Sequence, residues 1–152
     1  MKKSLKWIST FVMFGIIYVL IEVVYKGGFA YATWQMAVLG GICATFVSAL
    51  NNIFTYEMDF TLQCTVGAIF TTIGEGIFGV FCNVNYPVEY IWNYNDLPFT
   101  FWGGNCNLFF SFAWFLLCGI AIIVQDYIDY KLCGEEKPYY KVFGKVVFRI
   151  GK

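Results

Sequence analysis

The sequence predicts an all-α polytopic membrane protein, with four transmembrane helices, an ordered outer loop and a cytoplasmic amphipathic tail. Three observations predict it. The 152 residues are 59% hydrophobic and only 13% charged, with a mean hydropathy of +0.64. A soluble domain carries roughly 25% charged residues, so lipid is the expected solvent. Four apolar runs are each close to the ~20 residues that a helix needs to cross a bilayer core. The positive charge gathers at the two ends. Lys2, Lys3 and Lys6 precede the first run, and Lys131, Lys137, Lys141, Lys145, Arg149 and Lys152 follow the last, with Lys26 between. An even number of spans puts both ends on one side, and the positive-inside rule makes that side the cytoplasm.

Taken in order, the first run covers 7–25. It is too long and bulky for a signal peptide and has no small-x-small cleavage pattern; Gly27-Gly28 ends it. The second covers 33–50. Gly40, Ala44 and Ser48 repeat every four residues, with Gly41, Thr45 and Ala49 beside them. Small residues at that spacing let helix backbones approach closely in lipid, so this stripe is read as packing. The third run covers 60–82 and places Gly67, Thr71, Glu75 and Gly79 on one face. The fourth covers 101–124, with Asn107, Ser111, Trp114 and Cys118 on one face. Between the last two lies an outer loop, 83–100, polar enough to leave the membrane and aromatic enough to cap the bundle. The tail from 125 to 152 is charged. After Pro138, Lys141, Lys145 and Arg149 recur every four residues among Val142, Phe143, Val146, Val147 and Ile150. That period predicts a basic amphipathic helix on the inner leaflet, attracted to anionic membrane lipid. A plain positive-inside anchor accounts for the same residues.

Several chemistries are excluded or left without support. The zero formal net charge lacks the basic footprint of a nucleic-acid binder. Six scattered cysteines include no C-x-x-C pair, so neither a metal site nor a redox motif is indicated. Cys82 and Cys106 flank the outer loop and could pair, although buried free cysteine is the ordinary state. There is no histidine, so Ser111 and the threonines lack the usual base for nucleophilic catalysis. No phosphate-binding glycine loop occurs. The expectation is a non-enzyme with no cofactor.

What remains is a pair of carboxylates inside spans. Glu22 lies late in the first run and Glu75 late in the third, at similar depth in the outer half of the membrane under the predicted topology. A charged side chain there usually faces a partner or a watery cavity. Two acids in one apolar site cannot both stay ionised cheaply, so the pair suits a cation, an amine or a shared proton. Trp92, Asn93, Tyr94, Asn95 and Asp96 could close such a site from above, with Asn105 and Asn107 at its rim and Asn83 nearby. Hydrogen bonding to a neighbouring helix is the alternative role for both acids. The expected activity is a small transporter or substrate-binding membrane component for a cationic or polar solute, working as a homo-oligomer or with a partner membrane protein. The alternative is a structural or regulatory protein that binds lipid or a partner through the basic tail.

The segment Tyr90 to Leu117 is similar to the ABC-transporter type IV family of small bacterial integral membrane proteins. The residues that carry the resemblance are Trp92-Asn93-Tyr94-Asn95-Asp96-Leu97-Pro98-Phe99-Thr100, then Gly104-Asn105-Cys106 and Phe110-Ser111-Phe112-Ala113-Trp114. The family's intramembrane glutamates match Glu22 and Glu75, and its asparagine after the third span matches Asn83. Asn93, Asn95 and Thr100 stand where that family more often has Asp, Ser and Asn. The resemblance implies a permease part served by a separate ATPase subunit.

Overall fold

A computed structural model describes residues 3–85 and 91–150, with the side chains at 3, 4, 31 and 83–85 left outside the description. Asn83 therefore lies outside the described side chains. Four helices are long and apolar enough to cross a membrane: α1 (Lys3–Lys26), α2 (Trp34–Phe54), α3 (Phe60–Asn85) and α4 (Leu108–Ile128). Each stops or starts at a residue that suits the role. Gly27 turns to φ +81°, and the amides of Gly27 and Gly28 both return to the Val23 carbonyl at 3.0 Å, closing α1. The Thr33 hydroxyl accepts from Met36 N at 3.4 Å and caps α2. Asp59 accepts from Thr61 N at 2.9 Å ahead of α3, and Asn107 accepts from Phe109 N at 2.9 Å at the start of α4.

α1 packs mainly on α2 and α3 mainly on α4. Glycine makes the first of these contacts close. A Cβ at Gly40 would lie 2.5 Å from Tyr18 Cβ, one at Gly41 2.7 Å from the Phe11 ring, and one at Gly15 2.6 Å from the Ala37 carbonyl oxygen. The stripe at Gly40 and Gly41 is thus an interface between helices.

The fourth helix begins at Leu108, seven residues after the predicted 101. Phe101 belongs instead to a short antiparallel pair, β1 (Thr100–Phe101) with β2 (Cys106–Asn107). Phe99, Trp102, Gly103 and Gly104 all take positive φ here, which turns the chain sharply and stops a helix from starting.

The tail departs further from expectation. The predicted basic helix is a β-hairpin, β3 (Tyr139–Val142) with β4 (Lys145–Arg149), following a π-helical turn at Asp129–Cys133. Aromatic and β-branched residues fill both strands and favour extended backbone. Val142 pairs with Lys145 across Phe143 and Gly144, whose φ values of +49° and +75° suit a two-residue hairpin turn. The four-residue spacing of the basic residues therefore marks no helical face. Lys145 and Arg149 are exposed on β4, but Lys141 turns back to pair with Glu57 in the α2–α3 turn. The same carboxylate accepts from Tyr139 OH at 2.5 Å, and Asp59 accepts from Phe143 N at 2.6 Å. Tyr140 buries against Phe60, their rings 5.0 Å apart, and donates to Asp126 at 2.9 Å. Lys6 of α1 pairs with Asp129 at 2.9 Å and Glu135 at 2.6 Å. Both ends of the chain are thus tied together at one end of the bundle, away from the β1–β2 loop.

Two outcomes test this packing. Gly40→Ala should destabilise the purified chain by about 1–3 kcal/mol, because Tyr18 cannot retreat without moving α1; equilibrium unfolding in mixed detergent micelles measures it. The Lys141 ammonium and Tyr139 hydroxyl hold the Glu57 carboxyl below its ordinary 4.5. A lowered acid stabilises above its ordinary value and loses that effect as pH falls through the lowered one. The Thr61 hydroxyl and the Phe143 N–H likewise hold the Asp59 carboxyl below its ordinary 3.8, so the protection of the Phe143 amide in hydrogen exchange should be full above that ordinary value and be lost as pH falls through the lowered one.

Candidate functional site

Glu75 sits on α3 with no exposed surface. Each of its oxygens meets one donor. Tyr94 OH donates to Oε1 at 2.7 Å, and the Trp114 indole N–H donates to Oε2 at 3.2 Å. The acid thereby joins α3 to the loop before β1 and to α4. Aromatic packing holds both donors in place. The Tyr94 ring stacks on Phe110 at 4.7 Å, and Trp114 lies 5.4 Å from Tyr18 of α1. Burial, and the nearby Glu75, push the Tyr94 hydroxyl well above its ordinary value, so it remains a donor.

Small residues on α3 let the loop lie this low. A Cβ at Gly76 would fall 2.4 Å from the Trp102 ring, and one at Gly79 2.5 Å from Asn105 Oδ1. Two glycines in the turn that follows the acid thus seat the cap on the helix. The cap is then held by its own backbone and side chains. Tyr94 N donates to Gly104 O at 2.9 Å, the Trp92 indole to Asn105 O at 3.1 Å, and Asn107 Nδ2 to Pro98 O at 2.8 Å. Cys82 and Cys106 are free thiols; Cys106 donates to Thr72 O at 3.4 Å, and burial pushes its thiol up to about 12. It is neither disulfide-bonded nor a reactive thiolate.

Above Glu75 lies a cavity of about 250 Å³ between the end of α1 and the cap. Five of the residues singled out from the sequence border it: Glu22, Trp92, Asn93, Tyr94 and Asp96. Tyr25, Lys26 and Leu97 complete it. Lys26 pairs with Glu22 one turn away at 3.2 Å and also donates to Ile91 O at 2.7 Å, stitching α1 to the cap. Two acids against one base leave the lining with a formal charge of −1.

The two intramembrane glutamates are therefore separated. Glu22 faces the cavity, whereas Glu75 lies behind Tyr94 and is absent from the lining. Asn105 is buried as the seat of the cap on Gly79. Asn93 spends its side-chain oxygen on Asn95 N at 2.9 Å. Tyr25 shares the face of Glu22 by its spacing, but from the sequence Lys26 is assigned no place at the site. The i,i+4 spacing of Glu22 and Lys26 is the signal that points to that lysine.

No family model matches the chain, and neither a curated protein nor a solved structure matches it.

The Glu75 junction predicts a stability effect. Gln in its place offers one acceptor oxygen and one amide donor, so either Tyr94 or Trp114 loses its acceptor. Glu75→Gln and Tyr94→Phe should each cost about 1–3 kcal/mol. Their double variant should depart from the sum, since the two residues are in direct contact and share one hydrogen-bonded junction; unfolding free energies of the three variants decide it.

Proposed function

We propose that the protein is a membrane component that binds a cationic solute at the cap end of its helix bundle, as a small transporter or as the binding part of one. The observation that carries this reading is the cavity bordered by Glu22 and Asp96 beside the rings of Tyr25, Trp92 and Tyr94. Carboxylates attract an ammonium, and aromatic faces stabilise a desolvated one by cation–π contact. Lys26 already neutralises one acid, which leaves one negative charge for the ligand.

The charge distribution supports a cap that faces outward, with both termini in the cytoplasm. The resemblance of the cap to the ABC-transporter type IV family agrees with a permease part that works with a partner or with further copies of itself. No catalytic step is proposed: Ser111 spends its hydroxyl on the Asn107 carbonyl at 3.0 Å, and the chain has no histidine to activate it.

One observation favours a second reading, a lipid- or partner-binding membrane protein without transport. β4 presents an exposed strand next to Phe143, which is 88% exposed at the hairpin tip, and Lys145 and Arg149 flank it. Under that reading the tail carries the activity and the cavity is only structural.

Tetramethylammonium separates the two. Its binding to the purified chain, followed by intrinsic tryptophan fluorescence, should weaken about tenfold or more in Glu22→Gln/Asp96→Asn, the loss expected for a charge-assisted contact. Trp92→Ala should weaken it as well. Binding that is absent, or unchanged in these variants, rejects the cation site.

A further inference from the structure

The seam between α1 and α4 is open along its middle. The two helices meet toward the cap, where Tyr18 lies 5.4 Å from Trp114 and Tyr25 lies 5.5 Å from Phe110. At the tail end Lys6 of α1 pairs with Asp129, the first residue of the π-helical turn that continues α4. Between these points is a second cavity, about 140 Å³ and apolar. Leu39 and Cys43 of α2 form its floor, Phe14 and Ile21 line it from α1, and Leu117 and Ala121 line it from α4. Ile17, Ile21 and Ile120 border it while remaining 38%, 40% and 59% exposed. The groove thus opens sideways, at the depth of the acyl chains, because it lies within the spans.

The groove and the charged cavity follow one another along α1. Ile21 borders the groove and Tyr25, one turn on and also exposed, borders the cavity. A molecule lying along this strip would meet an apolar trough first and a charged chamber next. The chamber carries both signs. Glu22 and Asp96 suit an ammonium. Lys26 has three donors; Glu22 and the Ile91 carbonyl take two of them, leaving one for an anionic oxygen.

We propose that the ligand of this site is a bilayer phospholipid with a zwitterionic, amine-bearing head, its acyl chain in the α1–α4 groove, its ammonium at Glu22 and Asp96, and its phosphate at Lys26. The proposal rests on the cation reading above and names its substrate class. A lipid from the bilayer fits better than a solute from water because the groove is reached sideways through the span. Its apolar lining has nothing to offer a fully hydrated ion.

The test uses the full chain in bilayer nanodiscs made of phosphatidylglycerol. Phosphatidylethanolamine with brominated acyl chains is added in one series and brominated phosphatidylglycerol in another. Bromine in the groove quenches Trp114, which borders it. The amine-headed lipid should quench at about one-tenth the mole fraction that phosphatidylglycerol requires. Ala121→Phe fills the groove and should abolish that preference. Ile120→Phe, at the exposed rim, should reduce it without disturbing the core. Glu22→Gln/Asp96→Asn should make the two head groups equivalent. Equal quenching by both lipids in the native chain, or a preference that survives both groove variants, overturns the proposal. Tetramethylammonium binding tells the two failures apart: if it persists while the lipids are not distinguished, only the lipid is rejected. If neither is bound selectively, the cation site falls too.

Discussion

A carboxylate among apolar helices must find donors, and the donors Glu75 finds determine how the cap end of the molecule is built. Leaving such a group unpaired in hydrocarbon costs several kcal/mol. Tyr94 and Trp114 remove that cost from opposite sides, and each then has to be held where it is. Phe110 and Tyr18 hold the rings, Gly76 and Gly79 clear space for the loop, and the Tyr94 backbone closes on Gly104. A single acid thus coordinates three segments far apart in sequence.

The cavity above follows from that arrangement. With Tyr94 anchored downward, its ring becomes a wall, and Trp92, Asn93 and Asp96 surround the space over it. The Lys26–Ile91 hydrogen bond fastens the end of α1 to the same loop. The two glutamates, alike in the sequence, therefore differ in role. Glu22 is paired with a base and borders open space, whereas Glu75 is sealed and organises the frame around it. At the opposite end, the buried set of Lys6, Asp126, Asp129 and Tyr140 plays a similar organising part, tying the first helix, the last helix and the hairpin together.

Much of this was legible in the sequence because lipid imposes strong rules. Four apolar runs gave the four helices, and intramembrane acids drew attention to Glu22 and Glu75. The small residues of α2 were readable as an interface because close approach in lipid demands them. The misreadings came where those rules stop. In the tail, Lys141, Lys145 and Arg149 imitate a helical period, while the β-branched and aromatic content and the Phe143-Gly144 turn decide for strands. At Phe101 an apolar run continues into α4, but backbone conformations at Trp102 and Gly103 break it, and composition does not register them. The separation of Glu22 from Glu75 depends on the direction taken by Tyr94, a long-range contact that spacing along one helix cannot reveal.

The junction at Glu75 also bears on how the chain enters the membrane. Synthesis runs from the N-terminus, so α3 is complete before either of its partners exists. Trp114 follows Glu75 by 39 residues, a delay of about 2–8 s at ordinary translation rates. During that interval an acid without donors burdens α3 by about 3 kcal/mol on the insertion scale. The third helix is thus at its least secure before the fourth arrives, and the pair gains by settling into the bilayer together, with the acid sheltered once the cap and α4 have closed over it.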